Sequence, residues 1–287
     1  MRHPLACLVA LVLCTGQIAT LSGDATAAPK KKPAAAEPQA RLSAGTLQKL
    51  RSTDDSVVRA ALDDVRTAGP GGQAAAPVIA SLLEHGLGTD LTIAALDTLG
   101  DVQAESSSAA IAWYAVHRNL KVRQAAVKAL AHTKGPAAVA ALRHALSDGD
   151  DAVRAMAATG LGSLKAKDAV PDLFVALDHR IGEAAASIGQ LCEPSQCDDL
   201  AGKLGKLPFD VVTGGLDQVL FRPPAEINDD EKVKLVGRVR ELGTEEANRF
   251  LRDVQKRWPA DWSKRVKQAI DQGVQATAGA AAAAVSQ

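Results

Sequence analysis

Between residues 57 and 161 apolar side chains return every four residues within short blocks, and the blocks themselves return about once per helical hairpin. The blocks are Val57-Val58-Arg59-Ala60-Ala61-Leu62, Leu91-Thr92-Ile93-Ala94-Ala95-Leu96, Val122-Arg123-Gln124-Ala125-Ala126-Val127 and Val153-Arg154-Ala155-Met156-Ala157-Ala158. Their first residues are 34, 31 and 31 positions apart, and eight residues after each stands Val65, Leu99, Leu130 or Leu161. Positions i, i+4 and i+8 share one face of a helix, so each block predicts an amphipathic helix with one buried stripe. A capping candidate precedes each: Asp54 or Asp55, Asp90, Asn119, and Asp150 or Asp151. Such side chains accept hydrogen bonds from the free amides of a helix's first turn.

A turn rich in Gly, Ser or Lys follows each block, and then a second apolar helix is predicted over 75–83, 109–116, 137–146 and 169–177. Pro77, Pro136 and Pro171 fall at or near the starts of three of these, where the missing amide hydrogen is not needed. Each unit is therefore a helix-turn-helix pair that cannot bury its apolar face alone and must stack on its neighbours. A fifth unit is expected over 181–207, where Ile188-Gly189 echoes Leu161-Gly162. Beyond it, helical spacing persists over 209–220, 232–242, 245–258 and 264–270, giving two divergent hairpins, the last a cap.

The flanks read differently. Residues 1–27 carry Arg2 and His3, an apolar run from Leu5 to Leu13 and Ala25-Thr26-Ala27, which together read as a secretory signal cleaved between Ala27 and Ala28. An alternative is lipid anchoring through Cys14, because Leu11-Val12-Leu13-Cys14 resembles a lipobox, although Leu13 stands where a small residue belongs. Residues 28–41 are mainly Ala, Pro and Lys, a composition that does not build a core. The repeat region is expected over 42–274, clear over 50–207 and divergent over 208–274, and 275–287 are expected to be a disordered Ala-rich tail.

Composition narrows the class. Hydrophobic residues make up 47% of the chain but aromatic ones only 3%, so the core must be aliphatic, as in closely packed helices. Acids and bases both number 33, which gives no electrostatic drive toward nucleic acid or an anionic membrane. No stretch reaches the ~20 continuous apolar residues of a membrane span. If the signal is removed, Cys192 and Cys197 are the remaining cysteines, and an oxidising compartment would pair them, with Pro194 bending the connection.

One unit carries a family signature: Asp-x-x-Val-Arg-x-x-Ala over Asp150 to Ala157, then Leu161-Gly162, then Ala169-x-Pro171-x-Leu173 and Leu177. These residues resemble HEAT repeats, of the short kind also found in phycobilisome-lyase-like proteins. The resemblance spans about residues 50–207. It implies an all-α, right-handed α-solenoid of about six to seven antiparallel helical hairpins, a HEAT/armadillo-like superhelix. It also implies that Arg59, Arg123 and Arg154 form an internal ladder with aspartates of adjacent units.

The remaining chemistry-bearing residues have plain readings. His85, His117 and His179, 32 and 62 residues apart, each end a second helix, where they complement the helix dipole; helices ~8 to 10 Å apart do not bring one histidine per unit onto a shared metal. Ser106-Ser107-Ser108 is expected to cap the helix that follows. Trp113, Tyr114, Phe174 and the other spread aromatics are expected to fill the core, and Trp258 and Trp262 to pack between helices. No nucleophile, phosphate-loop or metalloprotease motif occurs. The expected function is a non-catalytic, cofactor-free scaffold of the cell envelope, periplasmic or secreted and monomeric. It would bind a protein partner, and neither nucleic acid nor metal, through a surface lined by the second helices. A structural or envelope-polymer-binding protein is the alternative, and a lyase-like enzyme a remote one.

Overall fold

The computed structural model describes residues 42–285; the expected signal, its Ala27–Ala28 cleavage point, Cys14 and the 28–41 segment lie outside the described residues. The regular elements among the described residues are helices, in the order α1 (Ala44–Lys49), α2 (Asp55–Thr67), α3 (Ala76–His85), α4 (Thr89–Asp101), α5 (Ser108–Tyr114), α6 (Leu120–His132), α7 (Pro136–Ala145) and α8 (Asp151–Ser163). Then follow α9 (Val170–Asp178), α10 (Glu183–Leu191), α11 (Pro194–Ala201), α12 (Phe209–Leu220), α13 (Asp229–Glu241), α14 (Glu245–Arg257) and α15 (Lys264–Val285). After the short α1 they pair as seven hairpins, α2/α3 to α14/α15, which makes an all-α solenoid.

The helix starts follow local chemistry. Asp54, Asn119 and Asp150 each accept a first-turn amide, from Ser56, Lys121 and Val153 respectively. Asp90 does not: α4 begins one residue earlier, after Gly88, which leaves Asp90 inside the first turn, where its charge faces the positive end of the helix. Proline occupies the first or second position of α3, α7, α9 and α11. The serine run is a short 3-10 turn, Glu105–Ser107, and it provides no side-chain cap for α5. Ser107 Oγ is instead buried without a hydrogen-bond partner.

The first helices α2, α4, α6, α8, α10 and α12 pack each on the next, and each second helix packs on the first helix of the following unit, α3 on α4 through α11 on α12. The periodic stripes form this core. Ala61, Ala95, Ala126 and Ala157 are fully buried, as are Val65, Leu99, Leu130 and Leu161. Val57 is the exception and is half-buried, because the stripe of α2 turns on Val58. On the second helices Ile79, Ile111, Leu142 and Leu173, spaced 32, 31 and 31 residues, are likewise fully buried. Burying a side chain of this size contributes about 2 kcal/mol, so each interface between units is held by a few such contacts rather than by one large centre.

Backbone approach is closest between α10 and α12. A Cβ on Gly189 would collide with the carbonyl of Gly215, and one on Gly215 with the carbonyl of Ala185. The expected end of the fold at 274 does not hold. Alpha-helix α15 continues to Val285, since alanine is the strongest helix former and Thr277, buried, accepts a hydrogen bond from Asn248 of α14 at 2.8 Å.

Candidate functional site

The phase of each second helix decides what it presents outward. Two residues beyond a buried position is a rotation of about 200°, close to the opposite face. The residues at that offset from Ile79, Ile111, Leu142 and Leu173 are Ser81, Trp113, His144 and Val175, again 32, 31 and 31 apart. Trp113 is 80% exposed and Val175 58%, with Val116 at 60% one turn along from Trp113. The expectation that the spread aromatics fill the core therefore fails at Trp113. Counting round the helix from Ile111 was the signal available: Ser108, Tyr114 and Ala115 share its buried side, and Trp113 does not.

A cleft of about 520 Å³ opens where α3 ends and α5 passes it. Leu83, Leu87, Ala109, Ala110, Trp113 and Tyr114 supply apolar wall, and Glu84 and His117 supply the polar part. The Tyr114 hydroxyl donates to the Leu83 carbonyl at 2.6 Å, which ties α5 to the last turn of α3, and burial pushes this phenol up from its ordinary value. His117 stacks on Tyr114 with centroids 6.1 Å apart, and its Nδ1 accepts the Asn119 amide. An adjoining cleft of about 570 Å³, lined by Arg51, Val78, Ser81, Leu82 and His85, lies on the other side of α3. His85 Nδ1 is 2.6 Å from the carbonyl of Ser81, within its own helix. Among the described residues no three His, Cys, Asp or Glu side chains gather at metal-binding distance, and no helix is long and apolar enough to cross a membrane.

The arginine series is only partly a ladder. Arg123 grips both oxygens of Asp148, at 2.9 and 3.1 Å, and donates to the carbonyl of His117. Arg154 donates to the Asp148 carbonyl at 2.6 Å and pairs with Asp151. Burial works to raise the Asp148 pKa, but the Arg123 hydrogen bond, the Asp150 amide and both arginine charges outweigh it and hold the carboxyl below its ordinary value. Arg59 does not join: it is exposed and has no ion pair among the described residues. Among the described residues it lies in the first full hairpin, preceded there by the short α1.

Cys192 and Cys197 sit at the junction of α10 and α11 with their sulfurs at disulfide distance, 2.04 Å, and both are buried. Arg222, from the end of α12, donates to the Cys192 carbonyl at 2.7 Å and to Glu226 at 3.0 Å. Its own carbonyl accepts from the buried ammonium of Lys232 at 2.5 Å. Lys232 Nζ lies 4.6 Å from the Trp262 ring and 5.6 Å from that of Trp258, and the two indoles meet edge to face at 5.3 Å. Trp258 and Trp262 thus pack between helices, with Phe221 against them. Nothing in the repeat pattern marked Lys232, because lysine at a helix start is read as solvated.

The family model for HEAT repeats matches residues 76–153. No curated protein matches the chain. Among solved structures, the complex of CpcE and CpcF of phycocyanin lyase from Nostoc sp. PCC7120 is 20% identical, with 87% of this chain and 99% of that chain covered and a TM-score of 0.45. A designed armadillo repeat protein is 14% identical over 81% of this chain and 98% of that one, with a TM-score of 0.41. At such identities these are likenesses of architecture alone. The matched segment runs from α3 through α7, and hairpins stacked in the same way continue on both sides of it.

Proposed function

We propose that this protein is a non-catalytic scaffold of the cell envelope that holds a partner protein on the solvent-facing side of its second-helix layer, with Trp113 as the main contact. The observation that carries this reading is the exposure of Trp113 beside an apolar cleft, on the helix face that Val175 shares two units away. A large indole left in water is out of place on an ordinary solvated helix. Tryptophan is enriched among the few residues that dominate protein interfaces, and contiguous exposed apolar surface marks interaction sites. Envelope location is supported by the export signal read in residues 1–27.

A photoreactive residue at position 113, in cells that produce the protein, tests this. A discrete crosslinked protein species is expected from position 113 and not from Asp63, an exposed position on α2. Recovery of wall polymer alone from position 113, or equal yields from both positions, would overturn it.

A further inference from the structure

We infer that the cleft between α3 and α5 receives a cationic side chain, arginine or lysine, carried by an extended segment of the partner; this rests on the protein-binding reading above. Three features at one place point to a positive charge. Glu84 lines the cleft, is exposed and has no ion pair among the described residues. Leu83, Glu84, Gly86 and Leu87 bring the C-terminal end of α3 to the cleft, and Trp113 and Tyr114 bring that of α5. Helix C-termini carry negative partial charge and favour cations.

The third feature is the indole itself. The face of an exposed tryptophan attracts an ammonium or guanidinium through its quadrupole. The combination of an apolar wall with a carboxylate at its edge suits a side chain whose aliphatic stem lies along Leu87 and Trp113 while its head reaches Glu84. An acidic side chain meets repulsion from the same carboxylate, and a purely aliphatic one leaves it without a partner. The cleft thus selects among partners by charge as well as by shape.

The test uses the purified full chain and an acetylated nonapeptide with one central arginine flanked by leucines, together with versions in which citrulline or glutamate replaces that arginine. Binding is read by anisotropy of the labelled peptide. The arginine peptide is expected to bind about tenfold more tightly than the citrulline one, and the glutamate peptide not measurably. Glu84→Gln is expected to erase the difference between arginine and citrulline, while Trp113→Ala weakens both. Equal affinity for all three peptides, no binding of the arginine peptide, or an unchanged preference in Glu84→Gln would overturn the inference. A discrete protein crosslinked from position 113, together with any of those outcomes, would leave the scaffold reading standing and remove only the cationic ligand. Absence of any crosslinked protein would remove both.

Discussion

Lys232 is the largest fully buried side chain among the described residues, and its ammonium has a carbonyl and two indoles for company rather than a carboxylate. Burial is the main cause that lowers its pKa from the ordinary 10.5; Asp229 acts against that and Arg222 adds to it. For a base whose folded pKa is depressed, the unfolded chain binds more protons in the interval between the two values, so stability rises with pH there. The midpoint of urea unfolding should therefore climb as pH approaches 10.5 from below, and Lys232→Met should remove that climb. Asp148 works in the opposite range. Its carboxyl is held low in the fold, so its contribution is complete above the ordinary carboxylate pKa and is lost as pH falls through the folded value. Asp148→Asn should cost about 1–3 kcal/mol at neutral pH and flatten the acid limb of the stability curve. The resemblance implied an aspartate partner for Arg123 without singling out Asp148, whereas the role of Lys232 was not legible, since it depends on groups brought from 10 and 30 positions away by stacking.

At the scale of helices, sequence periodicity predicted the elements well because each helix buries one stripe against equivalent neighbours. The stripes that placed Ala95 and Leu99 inside are buried as expected, and the second-helix boundaries fall within two residues or so of their expected ones. In α5 composition and helical phase disagree: Trp113 is aromatic but stands two residues past buried Ile111, on the opposite face. The end of α15 was missed because a run of alanines carries no stripe, yet needs little tertiary support to remain helical. Two predictions belong here. Gly189→Ala should force α10 and α12 apart and cost about 1–3 kcal/mol, whereas Gly237→Ala, with open space around its Cα and a helical backbone, should be neutral or slightly stabilising. Calorimetry on both variants separates crowding from helix propensity. Replacing both Cys192 and Cys197 by serine should lower stability by about 2 kcal/mol, the chain-entropy value for so short a loop, with loss concentrated in α10 to α12 by amide exchange. A full-length loss of protection would contradict that localisation.

For the molecule as a whole, a stack of near-equivalent hairpins holds shape by nearest-neighbour contacts and leaves one face of each helix free for other work. On the second-helix layer that face runs through Ser81, Trp113, His144 and Val175, and it reaches its most apolar point at Trp113. Removing an 80% exposed indole takes little from the core, so Trp113→Ala should fold with an unchanged unfolding midpoint. The direct test of the scaffold account is calorimetric titration of the partner captured from position 113 against the wild-type chain and Trp113→Ala. The account predicts a loss of about tenfold or more in affinity; equal affinities for the two chains would contradict it.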